Sequence, residues 1–256
     1  MSENAIHAKS YSSVVHHKDD KTKVIYRSHH YSSMRTEVDI HGDFWSLGFF
    51  EFPENAGFVK SGKTELPLTG KMVLFLPHFT TLQWRICSAE INWNYLISQE
   101  PICTEIQGRP LLFNLEDFGA KAEVLLAQPT SAILQWVKAR QHLATLIEDV
   151  ARPCSKRVKQ QIDKEFRSWG RLQELVKPLN HSFAYLSRQF KKDYGLSPVR
   201  YRNGLRMIQA SVDMLFKEKP VESIQIDLGI EDSSYFYQSF RSYLKTQPSE
   251  FRRARR

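Results

Sequence analysis

Cysteine is scarce in this chain: three in 256 residues, Cys87, Cys103 and Cys154, far apart and with no Cys-x-x-Cys pair. That argues against a disulfide framework and fits a reducing, cytoplasmic setting. No apolar run approaches the roughly 18 residues of a membrane-spanning helix, so no transmembrane span and no membrane partner are expected. The opening MSENAIHAKSYSSVVHHKDDK has no apolar core, so no secretory leader is expected. His-x-His, His-Glu-x-x-His, Gly-x-Ser-x-Gly and a Gly-rich phosphate loop are all missing. A metal-dependent β-barrel enzyme would need several inward histidines, and His41 and His78 stand alone. The adjacent pairs His16–His17 and His29–His30 point to opposite sides of a strand and are poor chelators. The expectation is therefore no enzyme, no metal and no cofactor.

What is present is an uneven charge. The net charge is +8, yet residues 1–150 hold 14 Lys and Arg against 17 Asp and Glu, a net −3. Residues 151–256 hold 22 against 11, a net +11. Two domains with different partners are expected, the second facing a polyanion or simply carrying a solubilising surface.

Residues 1–30 read as a polar tail, and residues 31–130 as β structure. FWSLGFFEF (Phe44–Phe52) is bounded by Gly42 and Pro53, and MVLFLP (Met72–Pro77) follows the turn pair Thr69–Gly70. Leu82, Trp84 and Ile86 alternate with polar residues, as do Ile91, Trp93, Tyr95 and Ile97, with Ser88–Glu90 as a hairpin loop. Alternation predicts an antiparallel barrel or sandwich with one wet face. Trp45, Phe75, Trp84, Trp93 and Tyr95 read either as a packed aromatic core or as a pocket for an apolar or aromatic small-molecule effector. Residues 131–155 turn helical. Ile133, Val137, Ala144 and Ile147 make a stripe that buries itself on the barrel or against a second subunit in a homodimer. RPCSKRVK (Arg152–Lys159) reads as the interdomain linker.

Residues 156–256 are helical by pattern. A short helix over Arg171–Leu179 is interrupted by Asn180–Ser182, and Ser182 is a good N-cap for a helix over Phe183–Tyr194 closed by Gly195. Ser197–Pro198 opens a long helix with Tyr201, Leu205, Ile208, Val212 and Leu215 inward. The pattern then repeats: a short helix over Val221–Leu228, a turn over Gly229–Asp232, and a helix over Ser233–Leu244 with Phe236, Phe240 and Leu244 inward. Two short helices joined by a tight polar turn, twice over, is the pattern of paired helix-turn-helix units.

YLSRQFKKDYGLSPVRY (Tyr185–Tyr201), the following LRMIQASVDML, and GIEDSSYFYQSFRSYLKTQPSEFR (Gly229–Arg252) resemble the AraC/XylS family of bacterial transcription regulators over roughly residues 160–254. The β region is similar, mostly through LTGKMVLFLP, to that family's cupin-like sensing or dimerisation domain. The fold class expected is thus α+β in two domains, a cupin-like antiparallel barrel and an all-α domain with two helix-turn-helix motifs. The family's usual Ala in the first helix of each half-motif is Val176 and Gln225 here. Pro178 should end or kink that first helix. Gly229 is followed by Ile230, Gln238 stands for a common Arg, and Lys245 replaces the Gly that closes the second recognition helix.

The resemblance implies promoter DNA and RNA polymerase as partners, and an activator. Carried over by position, it implies base reading by Ala184, Ser187 and Arg188 in the first recognition helix, and by Ser233, Ser234, Tyr237 and Gln238 in the second. Arg188 would make a bidentate contact to guanine, or else clamp a phosphate or pair within the chain. Gln238 would read adenine or remain a solvated surface residue. Ser182, Lys191, Lys192 and Arg241 would meet phosphates. Tyr235 reads as core or groove. The tail Arg252–Arg256 adds nonspecific affinity or is solvated. The closer match of the first half-motif suggests that it dominates base reading. A drifted second half-motif also leaves room for a regulator that acts mainly through another protein, with weak DNA affinity.

Overall fold

A computed structural model describes residues 11–31, 33–87, 89–102, 105–106, 108–119 and 121–253. The chain divides between Asp149 and Val150 into two compact units, a β unit and a helical unit.

Nine strands of the β unit join in one antiparallel sheet. They are β1 (Tyr11–Asp19), β2 (Thr22–Tyr31), β3 (Arg35–Ile40), β4 (Trp45–Ser61), β5 (Thr64–Leu76), β6 (Thr81–Ile86), β7 (Ala89–Ser98), β8 (Leu111–Asn114) and β9 (Thr145–Leu146). The order is β1-β2-β7-β4-β5-β8-β9, with β6 bridging β3 and β4. The long strand β4 makes this possible. Its first half, Trp45–Glu51, pairs with β7, and after a slip in register between Phe52 and Gly57 its second half pairs with β6.

Successive side chains of a strand point to opposite faces, and both faces are used here. Along β5, Val73 and Phe75 enter one core, while Leu74 and Leu76 enter the other. Three short helices cover the first core: α1 (Leu115–Phe118), α2 (Ala122–Leu126) and α3 (Thr130–Arg140). They contribute Phe118, Leu125, Leu126, Ile133, Leu134 and Val137. The second core holds Phe52, Val59, Leu82, Trp84, Ile86 and Ile147.

Three expectations for this unit are corrected. The polar tail is a hairpin from Tyr11 onward: β1 pairs with β2, and β2 runs the full length of β7, because Val24 and Ile25 have a sheet to bury into. The helical stretch expected over residues 131–155 is broken, because α3 ends at Arg140. A 3-10 turn (Gln141–Leu143) follows, then β9 pairs with β8, and Ser61 ties it down by donating to the Leu146 carbonyl at 3.2 Å. Ile133 and Val137 pack on the sheet of their own unit. Finally, β7 does not leave one face wet. Leu96 is fully buried along with Ile91 and Ile97, and Tyr95 is only half-buried, because β7 lies where both faces are covered.

The helical unit contains α4 (Pro153–Glu165), α5 (Leu172–Val176), α6 (Phe183–Tyr194), α7 (Pro198–Phe216), α8 (Val221–Asp227), α9 (Ser233–Leu244) and α10 (Pro248–Arg253). The stretch read as a linker is the N-cap residue Arg152 and about the first two turns of α4. Val158, Ile162 and Phe166 recur every four residues and are buried, so Arg157 and Lys164 lie outward while Lys159 turns in to Asp163. Pro178 falls in a 3-10 turn (Lys177–Leu179) that ends α5, as its missing N–H requires. Among the described residues no helix is long and apolar enough to cross a membrane.

Candidate nucleic-acid interface

The unit is a repeat with an offset of 50 residues. Ser182 caps α6 by accepting from the Tyr185 N–H, and Asp232 caps α9 by accepting from the Tyr235 N–H at 3.0 Å. Leu186 and Phe190 are buried on α6, and Phe236 and Phe240 on α9. Both helices end on a left-handed residue, Gly195 at φ 79° and Lys245 at φ 60°. Each is followed by a proline that starts the next helix, Pro198 and Pro248.

Between the repeats runs α7, fourteen of whose nineteen residues are buried. Its apolar stripe is accompanied by a polar one, Arg202, Arg206, Gln209 and Asp213, also buried and spaced 4, 3 and 4. The two guanidiniums clasp the loop after α4. Arg202 donates to the carbonyls of Phe166 at 3.3 Å and Gly170 at 2.8 Å, and to that of Ser168. Arg206 donates to Phe166 and Ser168, both at 2.7 Å. One of these carbonyls, that of Phe166, belongs to the C-cap residue of α4. Burial, with Arg202 alongside, lowers Arg206 to about 10, which leaves it charged at neutral pH. The same loop meets the second half-motif at Gly229, φ 68°. A Cβ there would stand 2.2 Å from the Arg167 carbonyl, so only glycine fits.

Further polar contacts hold the helices in place. Gln225, where the family pattern expects Ala, is buried and donates from its amide to the carbonyls of Ile230 and Glu231, at 3.0 and 3.1 Å. It thereby secures the α8–α9 turn. Asp193, on the inner face of α6, accepts from Ser155 Oγ at 2.6 Å and from the Arg152 N–H at 3.2 Å. Asp163 of α4 pairs with Lys159 at 2.7 Å and accepts from the Tyr201 hydroxyl at 2.5 Å. Burial pushes its carboxyl up, against the lowering influence of both partners.

Against this frame the expected DNA-facing residues are exposed. Ala184, Arg188, Lys191 and Lys192 lie outward on α6, with Ser182 just before it and Ser187 half-buried. Ser233, Ser234, Gln238 and Arg241 lie outward on α9. The side chains of Arg188, Lys191, Lys192 and Arg241 have no hydrogen bond or ion pair among the described residues. Tyr237 is half-buried with its hydroxyl 3.5 Å from Glu222. Tyr235 is exposed and its hydroxyl accepts from Asn203 of α7 at 2.5 Å. Arg252 donates to the Lys219 carbonyl, and Arg255 and Arg256 lie outside the described residues.

The aromatic residues considered for an effector are not gathered at one place. Trp45 and Phe75 are fully buried with ring centroids 5.8 Å apart, and the Trp45 indole donates to the Glu100 carbonyl at 2.9 Å. Trp84 belongs to the other core, and the Trp93 side chain and Cys103 lie outside what is described. No motif in the sequence singles out Arg202, Arg206 or Asp193, and Gln225 stands out only as a departure from the family's Ala. The polar stripe of α7, in helical register with the apolar one, was the signal available.

Comparison with known proteins places these helices. The family described as "Helix-turn-helix domain" matches residues 175–254. The Msm operon regulatory protein of Streptococcus mutans is 30% identical over 96 residues, 38% of this chain and 34% of that protein. The HTH-type transcriptional activator RhaS of Enterobacter sp. is 36% identical over 74 residues, 29% of this chain and 27% of that protein. The chain thus spans about a third of the length of the curated relatives it matches. Over the whole chain the fold is like that of ToxT from Vibrio cholerae. That likeness has 12% identity and a TM-score of 0.51, covering 96% of this chain and 98% of that one. Residues 175–254 of this chain are a helix-turn-helix domain.

Proposed function

We propose that the protein is a sequence-specific regulator of transcription that binds promoter DNA through α6 and α9. The observation that carries this reading is the repeat: two capped helices, 50 residues apart, each presenting an exposed polar and basic face from a fixed frame. Helix α7 has 19 residues, so it spans about 28 Å at 1.5 Å each. That approaches the turn of B-DNA, about 34 Å, so one domain can place two helices in successive major grooves. Arg188 and Gln238 read base edges, while Ser182, Lys191, Lys192 and Arg241 hold phosphates. In the same reading the β unit carries the input, an apolar small molecule or a second copy of the chain. The output is activation through RNA polymerase in the cytoplasm.

Footprinting on promoter fragments, combined with a salt titration on random duplex, tests this. Expected are two protected major-groove segments about one helical turn apart and a steep fall of affinity with salt. Affinity for random duplex that does not change with salt would overturn the reading in favour of a protein-interaction module.

A further inference from the structure

The loop between α4 and α5 is built more firmly than a connector requires. Its carbonyls are held by Arg202 and Arg206, and its inner side abuts Gly229 in the turn that introduces α9. What this anchorage presents outward is Trp169, 54% exposed, followed by Gly170 and Arg171, both exposed. Arg171 heads α5 without a side-chain cap, and its side chain has no ion pair among the described residues. A large indole held in water by a rigid loop, beside an unpaired cation, is a contact surface awaiting a partner.

We infer that Trp169 and Arg171 form a third DNA contact, on the sugar–phosphate backbone between the two major grooves. The inference rests on the DNA-binding reading above. The loop leads into the first helix of one half-motif, the helix that crosses the backbone in this class of motif. It also backs onto the turn of the other half-motif. It is therefore joined to both half-motifs, a position suited to the stretch of duplex between the two grooves. The chemistry suits a backbone and not a base. The guanidinium pairs with a phosphate, and the indole offers an N–H donor to a phosphate oxygen and an apolar face to deoxyribose.

Trp169 is the only tryptophan in residues 150–256, which supplies a direct probe. Duplex of random sequence, titrated into the full-length chain, should change tryptophan emission in the wild type and leave Trp169→Phe unchanged. Trp169→Ala should weaken specific and random duplexes alike, by about tenfold. Arg171→Ala should lower the slope of log affinity against log salt by about one, and Arg171→Lys should restore it. Wild-type binding with full salt dependence, matched by both alanine variants, would overturn the inference and leave the DNA reading standing. Wild-type binding without salt dependence would overturn both.

Discussion

Asp193, near the end of α6, caps a different helix: its carboxylate accepts from the Ser155 hydroxyl and the Arg152 N–H at the start of α4, and pairs with the Arg152 guanidinium at 2.9 Å. No side chain of α4's own N-cap residue does this work. A carboxylate at a helix N-terminus meets both its unpaired N–H groups and its dipole. The first recognition helix is thus tied to the domain at the end opposite its exposed cap. Asp193→Ala should lower unfolding stability by about 2 kcal/mol, as for a lost hydrogen bond to a charged group. It should also weaken specific DNA binding without changing the salt slope. Urea unfolding and a binding titration check the two effects separately.

Arg188 and Lys192 make a matched test of base reading. Both are exposed on α6, and the side chain of neither has an ion-pair partner among the described residues. Arg188→Ala should cost about 1–3 kcal/mol on the specific site and little on random duplex. Lys192→Ala should weaken both equally and reduce the salt slope by about one. Equal losses on both duplexes for Arg188→Ala would assign that residue to the backbone.

Lys245 occupies the left-handed position that Gly195 fills in the first repeat. A side chain there costs on the order of 1 kcal/mol, part of which glycine returns as greater freedom in the unfolded chain. Lys245→Gly should stabilise the domain by about 0.5 kcal/mol, and Gly195→Ala should destabilise it by about 1 kcal/mol. Chemical denaturation resolves both changes.

Asp163 gives a pH signature. Its carboxyl is raised in the folded state, chiefly by burial. Folding therefore favours the protonated form. The contribution of this group is most favourable below the unfolded carboxylate range, and it is lost as pH rises through the raised folded value. Asp163→Asn removes that titration. The stability of the wild type relative to Asp163→Asn should fall as pH rises from acid toward neutral. A difference that grows instead would mean that Lys159 outweighs burial.

The helical unit was legible because its signals are local. Ser182, Ser197, Pro198 and Gly195 mark helix ends by their own backbone chemistry, and Phe236 and Phe240 repeat the spacing of Leu186 and Phe190. In the β unit the facing of side chains was legible where one face is less buried, as at Leu82, Trp84 and Ile86. Where helices cover the second face, alternation vanishes, and Leu96 could not be told from Tyr95. The hairpin before Arg35 was missed because its burial comes from pairing with β7, some 70 residues further on. The positions expected to face DNA came from the family resemblance, and most of them are exposed. The interior arginines were not legible, since a cation satisfied by carbonyl oxygens leaves no acidic partner to find.

That last arrangement has an electrostatic consequence. Neither Arg202 nor Arg206 has a carboxylate partner among the described residues; both are satisfied by neutral carbonyls. Dipoles can solvate a charge without cancelling it, so the field of both cations extends beyond the protein surface. Mobile ions cannot approach them closely enough to screen them as they screen an exposed lysine. Part of the attraction that this domain would exert on the proposed DNA therefore originates beneath its surface.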